Sequence, residues 1–407
     1  MDTVKSGAEH AIVPGWYGAD PASPSHKANP HEPYARLRNA QPVNLTPDGT
    51  WRLTRYQDCQ TLLKHSHSGV RNLAGILPGE TAEDSANSLF MLRTDPPDHD
   101  RLRNLVSKAF TPRALAAIRP AIQPLVDGEL DRALDQGHMD LVADLALAVP
   151  AASMCAMLGV PFEDRHYLSK LVSVATYRLA IASFPHLRKE SEAALLELAD
   201  YMLRLIEERR RAPSDDILGL LVRAEELGDS LSNDELLQQC LGLLIAGLET
   251  TIGLIANGML CFSRNPEQFE LLTMQPSLIN RAVEECLRYE PSVPATLRIL
   301  WEDTVFNGVS IPADATVLAV LIAANRDPAV FSHPDTFDIT RNEARHCSFG
   351  GGIHFCLGSH LARMNAAIAF EGMAKRFRQV EAHEQHLEWA PSLFRIPGKL
   401  PATLQKR

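Results

Sequence analysis

Residues 349–370, FGGGIHFCLGSHLARMNAAIAF, place one cysteine between a glycine-rich loop and the start of a helical pattern. Cys356 there meets free backbone N–H groups and the positive end of a helix, which favour a thiolate and are expected to lower its pKa. Gly350, Gly351, Gly352 and Gly358 strip side chains from the surroundings of that sulfur, so a flat cofactor could lie directly on the loop with the thiolate as axial ligand to an iron. The same residue types admit two plainer arrangements: a buried structural cysteine, and a zinc set of His346, Cys347, His354 and Cys356. Four glycines weigh against the first, and the spacing of the second matches no common zinc pattern.

A second group lies in Ala246-Gly247-Leu248-Glu249-Thr250-Thr251. Ser232 followed by Glu235 reads as a capping box, which puts Glu249 and Thr250 several turns inside an apolar helix. A buried Thr250 can turn its hydroxyl to the carbonyl of Ala246 and bend the helix, with Gly247 easing the opening. An acid beside an alcohol in an apolar wall is suited to relaying protons in a dry site. The alternative is a threonine satisfied by its own backbone and a glutamate paired with a distant arginine. Two further pairs have the right spacing for one helix face: Glu285 with Arg288 in RAVEECLRYEP, and His99 with Arg103 in DPPDHDRLRNLVSKAF, whose donors could clamp a carboxylate.

The elements that must position these groups are mostly helical. The first 35 or so residues, rich in Pro and polar side chains, read as an arm (1–35) ahead of a single domain (36–407). Residues 50–57 alternate like a strand and are followed by a helix, and from Pro97 to Glu290 a 3.6-residue period dominates. After Pro291 come short β-rich pieces punctuated by Asn307-Gly308, Ile311-Pro312 and Asp327-Pro328, then a helix from about Leu357 to Phe377. The expected class is mainly α with a minor β part (α+β). The stretch 240–262 is apolar enough to span a bilayer, but a carboxylate at mid-depth costs about 2.5–3.5 kcal/mol, so Glu249 argues for a buried central helix.

Composition narrows the function classes. The chain has 407 residues, 45% hydrophobic and 22% charged, with a formal net charge of −10. Phosphate backbones need concentrated Lys and Arg, so a nucleic-acid partner is not expected. The start carries no basic region followed by an apolar stretch, which makes the cytoplasm the expected location. Seven cysteines, odd in number and without a C-x-x-C pair, fit neither a disulfide framework nor a zinc ribbon.

The run Phe349-Gly350-x-Gly352-x-His354-x-Cys356-x-Gly358 resembles the haem-binding loop of the cytochrome P450 family, with every signature position filled. The resemblance extends in order along the chain beyond its first 35 or so residues. It implies the family fold, a long central helix over a haem held by a Cys loop, with haem b as cofactor. It also implies that Cys356 is the proximal thiolate ligand and that His354, His99, Arg103 and Arg298 contact propionates. Phe349, Gly350, Gly358 and Ala246 would lie against the cofactor. Glu249-Thr250 is similar to the family's acid–alcohol pair, usually Asp-Thr. Glu285 and Arg288, with Arg341 in PDTFDITR, correspond to its structural support for the Cys loop.

The activity implied is a haem-thiolate monooxygenase that hydroxylates or epoxidises a lipophilic small molecule with two externally supplied electrons. A peroxide-driven peroxygenase and a non-catalytic haem sensor are the alternatives. No nucleotide-binding fingerprint follows the Cys loop, so a separate ferredoxin or flavodoxin, with its reductase, is the expected donor to a monomeric enzyme. Arg101, Lys108 and Arg113 offer a basic patch for such a partner, and read equally as ordinary surface charge. By matching positions the pocket wall includes Leu89, Leu92, Gly242, Ile245 and Ala246. Val293, Pro294, Thr296, Leu393 and Phe394 complete it. Such an apolar lining suits a terpenoid, steroid, fatty acyl chain or macrolide precursor.

Overall fold

The computed structural model describes residues 24–108, 110–177, 184–214, 216–226, 231–343 and 345–407. Its axis is the 32-residue helix Asn233–Arg264. The capping box at its start is present, with Ser232 accepting from the Glu235 amide and Glu235 accepting from the Ser232 amide. Because the sequence from Leu236 to Phe262 is apolar nearly all round, no face of this helix is suited to water and it sits at the centre of the core. The helices Ala148–Leu158, Arg165–Thr176, Arg188–Arg211, Ile279–Tyr289 and Ser359–Arg376 pack around it. The apolar stretches Leu141–Leu158 and Asn233–Arg264 are each long enough to cross a membrane, and both are mostly buried inside the protein.

The β part is small and peripheral, as expected. A five-stranded sheet runs in the order Val43–Leu45, Trp51–Leu53, Thr316–Ala319, Thr296–Leu300, Ser68–Gly69. Trp51 pairs in parallel with Val317, while Arg298 pairs antiparallel with Val317 from the other side. The strand expected over 50–57 is shorter, because the chain enters the helix Tyr56–Leu63 as soon as the Tyr56 amide finds the Asp327 carboxylate at 2.9 Å. That cap comes from the far end of the chain, so local alternation could not reveal it.

Within the stretch expected as an arm, the helices Pro24–Ala28 and His31–Ala40 are formed. Lys27 donates to the Ala390 carbonyl, and His31 Nε2 lies 2.8 Å from Glu290, which Arg395 also holds at 2.9 Å. The amino-terminal helices thus close over the loop of the ribbon Glu388–Trp389/Pro397–Lys399, which carries Leu393 and Phe394.

Candidate active site

The Cys loop is shaped by glycine where no other residue would fit. Gly350 and Gly352 adopt φ of +69° and +64°, the left-handed region. A Cβ on Gly352 would also stand 2.3 Å from the Leu63 carbonyl oxygen, so the loop rests directly on the end of the Tyr56–Leu63 helix. The Cys356 amide donates to the Phe349 carbonyl at 2.9 Å, and Arg103 donates to the Phe355 carbonyl at 2.6 Å. Arg103 therefore ties the Asp98–Ser107 helix to the residue preceding the cysteine. The Cys356 thiol is pushed up by burial; the Gly358 amide, Arg103 and Arg363 act in the opposite direction without overcoming it. This corrects the expectation of a lowered pKa, since desolvation of the anion outweighs the helix terminus in the protein alone.

Behind the loop lies a buried ion-pair frame. Arg288 grips Glu285 with two bonds of 2.7 and 2.8 Å, and donates to the carbonyls of Asn325, Pro334 and Thr336. Arg341 approaches the same carboxylate at 3.3 Å. Asn325, which the sequence reading missed, carries this frame into the loop: its side chain accepts from the Cys347 amide at 2.7 Å and donates to Ser348 Oγ at 2.8 Å. The zinc set does not assemble. Cys347 is buried against Gln60, and among the described residues no group of three or more His, Cys, Asp or Glu is placed to hold a metal ion.

Three buried donors converge beside the loop. His99 and His354 stack edge-on with ring centroids 4.4 Å apart. Asp100 holds His99 Nδ1 at 2.8 Å, but the Nε2 atoms of both histidines are buried with no hydrogen-bond partner among the described residues. Arg298 is 6% exposed, donates only to the Leu297 carbonyl among described bonds, and is pulled down to about 10 by burial. Asp95 completes the group 3.8 Å from His354. Burial disfavours its carboxylate, yet His354 and the amides of Val70 and Arg71 hold it below the usual range. Orphaned buried donors are rare because each costs about 1–3 kcal/mol. Imidazole nitrogens left in this state beside a buried guanidinium fit a planar cofactor that presents carboxylates to them, which is what haem b carries.

On the central helix, Ala246 is exposed although the helix around it is largely buried. Thr250 Oγ1 donates to the Ala246 carbonyl at 2.7 Å, as the sequence suggested, and Ser292 donates to the Thr250 carbonyl at 2.8 Å. Glu249 is 5% exposed, and the arginine considered for it is absent from its described bonds. It accepts instead from Ser173 Oγ at 2.6 Å, across on the Arg165–Thr176 helix, and burial raises its pKa. The helix is unbroken here. Gly247 serves close packing, since a Cβ on it would meet Met154 Sδ at 2.7 Å.

The expected wall residues fall into two groups. Leu89, Ile245, Val293, Thr296, Leu393 and Phe394 are half-buried, Pro294 is buried and Leu92 is 52% exposed. Gly242 is covered by the ring of Phe90, 2.3 Å from where its Cβ would be. The segment bearing Leu89 and Phe90 is fastened to the central helix by consecutive glutamines. Gln238 bonds the Asn87 carbonyl and Leu89 amide, and Gln239 the Leu89 carbonyl and Met91 amide, at 2.7–3.2 Å. Two adjacent glutamines in an apolar helix were the available signal for this. Of the basic patch, Arg101 pairs with Asp98 and Glu235, and Lys108 is exposed. The Arg113 side chain lies outside the described residues.

A family model described as Cytochrome P450 matches residues 40–394. The vitamin D(3) 25-hydroxylase of Pseudonocardia autotrophica is 40% identical, over 84% of each chain. The polyketide-biosynthesis cytochrome P450 PksS of Bacillus subtilis is 36% identical, over 93% of this chain and 96% of its own. Among solved structures, P450BioI in complex with an acyl carrier protein ligated with hexadec-9Z-enoic acid superposes with a TM-score of 0.86 at 34% identity, over 94% of this chain and 99% of that one.

Proposed function

The chain belongs to the cytochrome P450 family, is a monooxygenase and binds haem b; from that premise we propose that Cys356 is its iron ligand and that it hydroxylates or epoxidises a lipophilic small molecule, using two electrons from a ferredoxin or flavodoxin. The observation that carries the site assignment is the pair of buried histidine nitrogens with no hydrogen-bond partner among the described residues, His99 Nε2 and His354 Nε2, with the buried Arg298 close to them at the Cys loop. These three would hold the propionates, while Arg103 braces the loop through the Phe355 carbonyl. When bound through a thiolate, haem supplies the oxidative chemistry of oxygen insertion.

The protein's own part is to hold the cofactor, exclude water and move protons. Gly350 and Gly352 would let the loop backbone approach the cofactor closely, and Phe349, Gly358 and Ala246 would present small or flat surfaces to it. Thr250, anchored to Ala246, holds a hydroxyl beside the exposed patch of the central helix. Glu249 is a buried carboxyl whose pKa burial raises, which suits it to hold and pass on a proton. The apolar wall supports a lipophilic substrate, and relatives named for a vitamin D(3) hydroxylation and for an acyl chain on a carrier protein point to the same chemical class.

The assignment is tested by reducing the purified protein and adding carbon monoxide. The strongly red-shifted absorption band of a thiolate-ligated haem is expected, and its absence overturns Cys356 as ligand. Positioned general acids contribute about 10²–10⁴-fold. Thr250→Ala is therefore expected to keep haem binding and electron uptake while product formed per electron consumed falls severalfold, with Thr250→Ser restoring it. Unchanged coupling in Thr250→Ala removes the hydroxyl from the proton path.

A further inference from the structure

The Ile279–Tyr289 helix presents two adjacent carboxylates that go separate ways. Glu285 turns inward to Arg288 and Arg341, as above. Glu284 reaches across to Arg363 on the Ser359–Arg376 helix and binds its guanidinium in a fork, at 2.5 and 3.0 Å. That guanidinium lies 4.4 Å from the centre of the Phe349 ring. His346 closes the group: its ring is 5.7 Å from Phe349, its Nδ1 accepts from the Ser348 amide at 3.1 Å, and its Nε2 stands 3.3 Å from Glu284. With Nδ1 accepting from Ser348, Nε2 is the ring nitrogen that faces Glu284.

Phe349 is where this matters. Its carbonyl accepts the Cys356 amide, so whatever fixes Phe349 fixes the backbone at the sulfur. Arg363 lies in the first turns of the helix that begins three residues after Cys356 and stands on the Phe349 ring, so its charge is held beside the sulfur-bearing loop. Glu284, bound to Arg363 by the fork, offsets that charge. Planar stacking on an aromatic face with a bidentate carboxylate is an arrangement that lysine could not supply.

We propose that the Glu284–Arg363 pair stacked on Phe349 is a positioning device that sets the electrostatic potential at the Cys356 sulfur and thereby the reduction potential of the bound haem. The proposal rests on Cys356 being the iron ligand. Reduction adds negative charge at the iron site. A cation left uncompensated nearby therefore favours the reduced state, and an uncompensated anion disfavours it. Both partners are partly exposed, so the effect is screened but keeps its sign.

The test is the ferric–ferrous reduction potential of three haem-loaded variants, each first shown by the carbon monoxide band to keep thiolate ligation. Glu284→Gln preserves the shape of the fork and leaves Arg363 uncompensated; its potential is expected to shift positive. Arg363→Gln leaves Glu284 uncompensated; its potential is expected to shift negative. The double variant is expected to fall between the two, near the parent. If neither single variant moves the potential, or both move it in the same direction, the pair is packing only and the proposal fails. Loss of the carbon monoxide band in the parent protein would instead overturn the ligand assignment, so the two failures are distinguishable.

Discussion

Replacing Cys356 with serine is expected to leave a folded protein that no longer gives the red-shifted carbon monoxide band and turns over at the background rate. The physical reason is donor strength. A cysteine thiol gives up its proton on binding a metal and becomes a soft, electron-rich anion, whereas a serine oxygen is a harder and weaker donor. Local structure is expected to tolerate the change. The Cys356 amide still donates to the Phe349 carbonyl, Gly350 and Gly352 keep their left-handed turns, and the frame behind the loop is untouched. His99, His354 and Arg298, the donors proposed for the propionates, are unchanged, so the variant should retain haem with a changed spectrum. Retention of the parent spectrum by Cys356→Ser would show that another residue ligates the iron.

Arg288→Leu is expected to have the largest effect on stability. Arg288 is 2% exposed and makes five charge-assisted bonds, two to Glu285 and one each to the carbonyls of Asn325, Pro334 and Thr336. Removing one partner of a buried pair costs about 3–5 kcal/mol because the other charge stays behind undissolved. Typical proteins have only about 5–15 kcal/mol in total. Arg341 still reaches Glu285 at 3.3 Å, which places the expected loss toward the lower end of that range. Soluble yield and the urea midpoint of the haem-loaded protein are the readouts. Arg288→Lys should rescue poorly, since one ammonium cannot span both carboxylate oxygens and three carbonyls. A midpoint close to that of the parent for Arg288→Leu would mean that the frame does not support the loop.

These two residues mark the extremes of what could be read from the sequence. The Cys loop was legible because glycines, a histidine and a cysteine at fixed spacing in ten positions leave few other uses for those residue types. The central helix was legible for a similar local reason: Ser232 and Glu235 start it, and its apolar periodicity has no polar face. By spacing alone Glu285 and Arg288 were a pattern common to many solvated helices; the family resemblance added Arg341 and the role of supporting the Cys loop. What makes them a frame is burial, together with Asn325, Thr336 and Arg341, which come from elsewhere in the chain.

By itself, the sequence of this protein determined the class of the fold, the cysteine and the order of the chemistry-bearing segments, because those depend on periodicity and on residues a few positions apart. Tertiary structure alone decided which groups share a microenvironment. It gave Glu249 a hydroxyl on another helix in place of an arginine, raised the Cys356 thiol that a helix terminus should have lowered, and covered Gly242 with Phe90. It also brought Glu284, Arg363 and His346 onto Phe349. Desolvation and long-range pairing produce these outcomes, and both depend on which distant segment closes over a residue rather than on its neighbours in the chain.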